Sequence, residues 1–118
     1  MMAAIPERRR FPRVVRGLFL HYLRVGSDPP TWNVARVKDI SVVGVSFTGD
    51  DSLEVHSQLE LKLSLPTMEL SPFRGTVVWR REVGPRLFEY GVVFRPLEPG
   101  AAAALRQFVD GLLRRHRQ

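Results

Sequence analysis

The sequence lacks several features that would point to particular functions. None of its 118 residues is cysteine, which excludes disulfides, thiolate nucleophiles, thiolate zinc sites and iron–sulfur clusters. No apolar run approaches the ~18 residues that a membrane-spanning helix needs. The first 16 residues carry charges where a signal peptide has its apolar stretch, so we expect no export signal and a location in the bacterial cytoplasm.

Catalytic and cofactor-binding patterns are also missing from the sequence. The three histidines, His21, His56 and His116, lie far apart in the chain. There is no HExxH motif, no phosphate-binding GxxxxGK[ST] loop and no GxGxxG fingerprint. Because no pattern assembles a nucleophile, a base and an orienting group, the sequence predicts a binding module rather than an enzyme, with no metal and no resident cofactor.

The charge is concentrated at the two ends of the chain. The composition, 44% hydrophobic and 25% charged, is that of one globular domain. Residues 1–16 contain five arginines against one glutamate, and residues 114–117 contain three arginines, so the ends supply more than the whole net charge of +6. Cationic ends attract phosphates. Solubilising tails, and the preference of basic residues for a helix C-terminus, are the simpler interpretations.

The hydrophobic pattern predicts six strands with short connections and no helix between them. The clearest strand covers residues 58–65, where Leu59, Leu61, Leu63 and Leu65 share one face. A loop is expected at 82–86, between the last two strands. The six predicted strands cover residues 14–25, 32–41, 43–48, 58–65, 73–81 and 87–94.

The last segment changes to a helical period. Leu105, Phe108, Val109 and Leu112 form one apolar stripe, which must pack on the sheet. Short antiparallel strands with one apolar face each are expected to close into a small barrel, because closure leaves no exposed edge. We therefore predict a mainly β fold, with a six-stranded antiparallel β-barrel and a C-terminal α-helix. The expected organisation is a flexible N-terminal arm (1–13), the barrel (14–95), and the helix with its basic tail (96–118).

The first candidate binding element is an arginine cluster in the arm. Arg8, Arg9, Arg10 and Arg13 occupy four of six successive positions just before the first predicted strand. A guanidinium is planar and always charged, and its fork of donors fits both a phosphate and the O6/N7 edge of guanine. A solvated tail, or an arm that binds nucleic acid without specificity, are the alternatives.

The second candidate element joins the second and third predicted strands. Asp39 and Ser41 stand two residues apart, so in an extended chain they point to the same side. Gly44 permits another group to approach the backbone closely. Taken alone, this pattern also fits ordinary turn and strand punctuation.

Together the two elements resemble the PilZ family, bacterial receptors for the second messenger cyclic di-GMP. The resemblance rests on RxxxR (Arg9 to Arg13) followed by DxSxxG (Asp39, Ser41, Gly44), and it extends from Glu7 to about Leu113. The segments Gly-Thr-Val-Val-Trp at 75–79 and Tyr-Gly-Val-Val-Phe at 90–94 also look like the family's. The family's fold, a six-stranded barrel with a C-terminal helix, agrees with the strand count. The resemblance implies a stand-alone PilZ domain.

The resemblance also implies roles for these residues. Arg9 and Arg13 are expected to bind the phosphates and guanines of cyclic di-GMP. Asp39 is expected to accept from the guanine N1–H and N2–H₂ edge or to orient an arginine. Ser41 is expected to contact the base or a phosphate, and Gly44 to leave room for the ring.

Three further residues are implied less directly. In family members with an arginine at the position of Arg8, the ligand tends to bind as an intercalated dimer, so we expect two cyclic di-GMP molecules per domain. Arg10 is expected to face either the ligand or solvent. Trp79 is expected either to wall the base pocket or to belong to the barrel core.

The resemblance implies a signalling protein that acts through others. The arm is expected to change conformation on binding and to signal to an unidentified protein partner; the oligomeric state is left open. A PilZ-fold adaptor that contacts proteins without binding the nucleotide is the main alternative. A small barrel that binds nucleic acid through its basic ends is less expected, because the body of the chain is neutral and its aromatics alternate like core residues.

Overall fold

The computed structural model describes residues 17–50, 52–66 and 68–117, so the arm predicted at 1–13 lies outside the described residues. The elements follow the chain as six strands and then one helix. They are β1 (Phe19–Arg24), β2 (Asn33–Ile40), β3 (Gly44–Gly49), β4 (Gln58–Ser64), β5 (Glu69–Gly84), β6 (Leu87–Phe94) and α1 (Pro99–Arg117).

The six strands form a closed antiparallel barrel. Their order around the barrel is β1-β2-β3-β6-β5-β4, and β4 pairs back to β1. Every strand contributes apolar residues to the interior, and closure satisfies both edges of every strand. The predicted fold class, a mainly β barrel of six strands followed by a helix, is confirmed.

Alternating residues of all the strands fill the barrel. Leu59, Leu61 and Leu63 of β4 are almost completely buried, as their period-two spacing predicts. At the centre the ring of Phe47 packs between Tyr22 and Tyr90, with ring centroids 5.1 and 5.6 Å apart. These tilted ring pairs give the core an aromatic centre.

The apolar stripe of α1 packs against this core. Leu105 and Val109 are buried, and Phe108 and Leu112 are partly buried against the same cluster. The predicted amphipathic helix is therefore confirmed, and its stripe extends the core beyond the sheet.

The first strand is shorter than predicted. β1 begins at Phe19 and ends at Arg24, whereas the strand was expected over residues 14–25. Gly17 has a φ of 74° and Val25 lies in a turn, and neither conformation continues a strand. Residues 14–16 lie outside the described part of the chain.

The fifth strand is longer than predicted, and the expected loop at 82–86 is wrong. β5 runs over 16 residues to Gly84, and only Pro85 and Arg86 separate it from β6. The pairs Glu82 with Phe88 and Gly84 with Leu87 keep the two strands together up to this turn. Arg86 adopts a φ of 56°, and a proline followed by a residue with positive φ is the pattern of a type II turn. The glycine and proline thus mark a short turn, not a loop.

Candidate functional site

Four residues on neighbouring strands form a row across the outer face of the barrel. The ladder pairs Asp39 of β2 with Ser46 of β3, Ser46 with Gly91 of β6, and Gly91 with Trp79 of β5. We call Asp39, Ser46, Gly91 and Trp79 the cross-strand row. The row contains two residues that the sequence analysis selected as candidates: Asp39 of the DxSxxG motif and Trp79. They are 40 positions apart in sequence.

Strand alternation and two bulges turn the row outward. Ser46 stands between the core residues Val45 and Phe47, so its side chain faces away from the core. On β2 the register shifts between Val37 and Asp39. In a regular strand these two residues would share a face, but the bulge sends Val37 inward and Asp39 outward.

A second β-bulge turns Trp79 outward on β5. The register shifts between Val77 and Trp79, so Val77 lies in the core while Trp79 lies on the outer face. Without this bulge the two side chains would point to the same side of the sheet.

Asp39 is a buried carboxylate on this outer face. Its side chain is only 5% exposed, and its Oδ2 accepts a hydrogen bond from the Ser46 hydroxyl at 3.2 Å. A buried carboxylate requires donors, and Ser46 supplies one of them. The carboxylate is thus held in a fixed position at the β2 end of the row.

Ser41 organises the tight connection between β2 and β3. Its Oγ accepts hydrogen bonds from the backbone N–H groups of Val43 and Gly44, at 3.1 and 3.2 Å. Its own N–H donates to the Gly44 carbonyl at 2.9 Å. This is a serine turn of the kind that short polar residues favour. The serine therefore fixes the backbone conformation that directly follows Asp39.

Gly44 has a close neighbour, and that neighbour is protein backbone. A Cβ at this position would lie 2.4 Å from the carbonyl oxygen of Val92 on β6. Any other residue would push β3 away from β6 at the start of their ladder. The sequence predicts that another group approaches the Gly44 backbone closely, and in the structure that group is the Val92 carbonyl of β6. The expected role of Gly44 in leaving room for a guanine ring stays a prediction.

The indole of Trp79 lies against Gly91. A Cβ on Gly91 would stand 2.1 Å from the indole Nε1 and 2.2 Å from Cε2, so the indole occupies the space that a side chain at this position would fill. Trp79 is half-buried and is not among the core residues. The alternative that placed it in the barrel core is wrong: it forms the β5 end of the cross-strand row.

A charged cluster occupies the next outward positions along the same strands. The ladder pairs Thr48 with Glu89 of β6, and Glu89 with Arg81 of β5. Glu89 is completely buried. Its Oε2 lies 3.4 Å from the Lys38 Nζ, and its Oε1 accepts a hydrogen bond from Arg81. We call Lys38, Arg81 and Glu89 the Glu89 cluster.

The electrostatics of this cluster keep Glu89 ionised. Burial by itself raises the pKa of Glu89, but the hydrogen bond from Arg81 and the positive charges of Lys38 and Arg81 outweigh it. The net result is a pKa below the usual value of a glutamate.

The N-terminal side of β1 joins the barrel next to Asp39. β1 and β2 are antiparallel, with Phe19 opposite Arg36. One step earlier, the Leu18 carbonyl accepts a hydrogen bond from the Val37 N–H at 3.0 Å. Val37 is two residues from Asp39, so Leu18, which directly precedes β1, lies beside the cross-strand row. Arg8, Arg9, Arg10 and Arg13 themselves lie outside the described residues.

The family comparison agrees with this arrangement. A family model described as PilZ domain matches residues 7–111, which is most of the chain and includes both sequence motifs. The chain belongs to the PilZ domain family. No curated protein matches the chain in sequence.

Solved structures similar to this PilZ chain share its fold at low sequence identity. The Bacillus subtilis inhibitor of motility MotI/DgrA has a TM-score of 0.67 and 17% identity over 92% of this chain, which spans about half (51%) of MotI. The PilZ domain of Escherichia coli YcgR, solved with c-di-GMP, has a TM-score of 0.65 and 15% identity, covering 93% of this chain and 95% of that one. Borreliella burgdorferi PlzA, in complex with c-di-GMP, has a TM-score of 0.55 and 9% identity over 100% of this chain and 52% of its own.

Sequence reasoning missed several residues of this PilZ site. Ser46 and Gly91 were not singled out, although a lone glycine inside the β6 pattern is a known sign of close packing. Glu89 was also missed. A carboxylate between apolar residues of a strand is a signal for a buried ion pair, but its partners Lys38 and Arg81 lie on strands that only the topology brings together.

The described residues of this PilZ chain contain neither a metal-binding cluster nor a helix that could span a membrane. In ranges 17–50, 52–66 and 68–117 no group of three or more His, Cys, Asp or Glu side chains is placed to hold a metal ion. Over the same ranges, no helix combines the length and the apolar character needed to cross a membrane.

Proposed function

We propose that this PilZ chain is a receptor for cyclic di-GMP that binds the messenger between its N-terminal arginines and the cross-strand row. The observation that carries the proposal is the hydrogen bond between Leu18 and Val37. It fixes the chain that follows RxxxR beside Asp39. Arg13 is five residues before Leu18, and a fully extended chain of that length spans about 17 Å, so the arginines are within reach of the row.

Each group has a chemical task in this receptor. Arg9 and Arg13 bind phosphate and the O6/N7 edge of guanine through their guanidinium forks. Asp39 accepts from the N1–H and N2–H₂ edge of guanine or orients one of the arginines. Ser41 contacts the base or a phosphate, and Gly44 leaves room for the ring. The two residues also keep the β2–β3 connection in the conformation that presents Asp39.

Trp79 supplies an apolar wall for the guanine. Its indole is held against Gly91 on the same outer face as Asp39, and a half-exposed indole offers a surface on which a flat base can stack. The neighbours YcgR and PlzA, described with c-di-GMP, support the choice of ligand.

The receptor binds two cyclic di-GMP molecules and transmits the signal by ordering its arm. Arg8 adds a cation, which helps to neutralise the four phosphate charges of a ligand dimer. Ordering each arm residue costs about 1–2 kcal/mol of backbone entropy, and the charge-assisted contacts offset that cost. The ordered arm presents a new surface to a protein partner in the cytoplasm, so the domain acts as an adaptor and not as an enzyme.

A calorimetric titration of the purified protein with cyclic di-GMP tests this proposal. We expect saturable binding near two ligands per chain at physiological salt, with no binding of GMP or GTP. The Arg9→Ala/Arg13→Ala variant is expected to lose binding. An Arg95→Ala/Arg106→Ala variant, which removes the same charge outside the arm and the row, serves as the matched control.

Each alternative outcome has a defined meaning. A ratio near one keeps the receptor and removes the role given to Arg8. Equal binding by the arm variant and its control contradicts the role of RxxxR. If the folded wild-type protein binds no ligand, the nucleotide-free adaptor function replaces the receptor function.

A further inference from the structure

The Glu89 cluster contains more positive than negative charge. Two cations, Lys38 and Arg81, share the one carboxylate of Glu89. The carboxylate is fully buried, while the side chains of Lys38 and Arg81 are 49% and 57% exposed. The cluster therefore buries its negative charge and presents its positive charges to solvent.

Both cations keep hydrogen-bonding capacity after contacting Glu89. A guanidinium has five N–H donors and an ammonium has three. Among the described contacts, Arg81 uses one nitrogen, Nη2, toward Glu89, and Lys38 makes one contact, to the same carboxylate. Because each side chain is tied at one point, it loses less conformational freedom when it binds a further acceptor.

The cluster lies directly beside the cross-strand row. Thr48, Glu89 and Arg81 are each two residues along their strands from Ser46, Gly91 and Trp79 respectively. Residues two apart on a strand share a face and are about 6.5–7 Å apart. Lys38 is the bulge residue immediately before Asp39. A ligand that lies on the row therefore comes within reach of both cations.

We propose that Lys38 and Arg81, held in position by Glu89, form a phosphate-binding subsite for a guanine dinucleotide bound on the cross-strand row. This inference rests on the proposed receptor function and extends its site beyond RxxxR and DxSxxG. Two neighbouring cations attract an anion, whereas the donor edge of guanine requires an acceptor such as Asp39. Asp39 therefore binds a guanine base, and Lys38 and Arg81 of the Glu89 cluster bind a phosphate.

The charge of the subsite is stable around neutral pH. The pKa of Glu89 is held below its usual value, so the carboxylate continues to orient both cations throughout the physiological range.

Lys38→Gln and Arg81→Gln test the subsite in titrations of the full chain with cyclic di-GMP. We expect each variant to bind about tenfold more weakly, which corresponds to about 1.4 kcal/mol. Lys62→Gln alters the only other lysine of the chain. Arg74→Gln is the control for Arg81→Gln, because Arg74 also lies on β5 and is also ion-paired. Its partner is Glu60 of β4, at 3.5 Å, so Arg74 lies on the β4 side of the strand. Both controls are expected to bind within twofold of the wild type.

Salt and a conservative substitution separate a charge contact from a structural effect. We expect Lys38→Arg to retain affinity within about threefold. We also expect the difference between Lys38→Gln and the wild type to shrink as salt rises, because screening weakens exposed charge contacts. Melting temperatures of all variants are measured alongside. Should Arg81→Gln fail to fold, the two Lys38 variants and the salt series still decide the question.

The outcomes separate this inference from the function on which it rests. If the wild type binds and both glutamine variants bind equally well, the subsite is overturned while the receptor function stands. If Arg74→Gln weakens binding as much as Arg81→Gln, the effect comes from total charge and the subsite is likewise overturned. If the wild type does not bind, the receptor function falls and the subsite falls with it.

Discussion

The position of Trp79 depends on a single glycine. Every strand residue with a side chain would collide with the indole at position 91, since even a Cβ would stand 2.1 Å from Nε1. Gly91 pays the entropic cost of a glycine in a strand interior because the tryptophan occupies its outer face. Trp79 and Gly91 therefore depend on each other: the indole can lie on β6 only because position 91 has no side chain.

Replacing Gly91 with alanine is expected to displace the indole. We expect a loss of roughly 1–3 kcal/mol in the free energy of unfolding, typical of overpacking, and a change in tryptophan fluorescence. Chemical denaturation measures the first effect. Gly84→Ala is the matched control, because a Cβ there would meet Leu87 at an ordinary 3.7 Å. Equal stability losses in the two variants would contradict the assignment.

Glu89 makes the folding stability of the protein depend on pH in the acidic range. Its pKa is lowered in the folded protein, so folding favours the ionised form. The contribution of Glu89 to stability is therefore fully present above the pKa of an unfolded glutamate, about 4.3. It is lost as the pH falls from that value through the lower folded pKa.

The part of the pH dependence of stability that comes from Glu89 is expected to disappear when its carboxyl group is removed. We expect Glu89→Gln to be less stable than the wild type at pH 7, with the difference narrowing below about pH 4 as the wild-type carboxylate is protonated. Thermal unfolding measured from pH 7 to pH 3 gives both curves. A difference that stays constant across this range would show that Glu89 acts by packing and not by charge. Glu60→Gln, at a partly exposed ion pair, is the control.

At the scale of elements, two bulges turn Asp39 and Trp79 onto the outer face of the barrel. The bulge at Lys38 turns Asp39 outward, and the bulge before Trp79 does the same on β5. The strands between them, β3 and β6, keep a regular register. The row therefore forms where two irregular strands flank two regular ones, and a one-residue change in either bulge would move an end of the row to the other face.

The helix contributes to the same fold through its stripe. Leu105 is completely buried against the core, so Leu105→Ala is expected to cost about 2–5 kcal/mol of unfolding free energy through lost burial and a residual cavity. Gln107, on the exposed side of α1, is the matched position, and Gln107→Ala is expected to change stability by less than about 0.5 kcal/mol. Urea denaturation compares the two. A Leu105→Ala cost below 1 kcal/mol would mean that α1 docks only weakly.

At the scale of the whole molecule, barrel closure unites segments that are distant in sequence. β3 pairs with β6 and not with β4, which brings the DxSxxG connection next to the Tyr-Gly-Val-Val-Phe strand. Antiparallel pairing of β1 with β2 brings the start of β1 to Val37. The proposed receptor depends on both pairings, because the first builds the row and the second brings Leu18 beside it.

Local patterns were enough to locate the secondary-structure elements and to indicate the family, although the bounds of β1 and β5 were wrong. Residue type and alternation indicated six strands, the spacing of Leu105, Phe108, Val109 and Leu112 located the helix, and two short motifs indicated PilZ. These features depend on residues close together in the chain, where propensity and periodicity act. Turn chemistry was less certain: Gly84 and Pro85 indicated a loop where a two-residue turn exists, because glycine and proline are typical of tight turns as well as of longer loops.

Only the tertiary structure decided which distant side chains meet. The outward face of Asp39 and Trp79 depends on bulges, which have no period to detect. The burial of Glu89 depends on Lys38 and Arg81, which pairing across β2, β3, β6 and β5 brings to it. Sequence fixes what each strand can bury, whereas the register between strands fixes its neighbours, and register is set by the closed barrel as a whole.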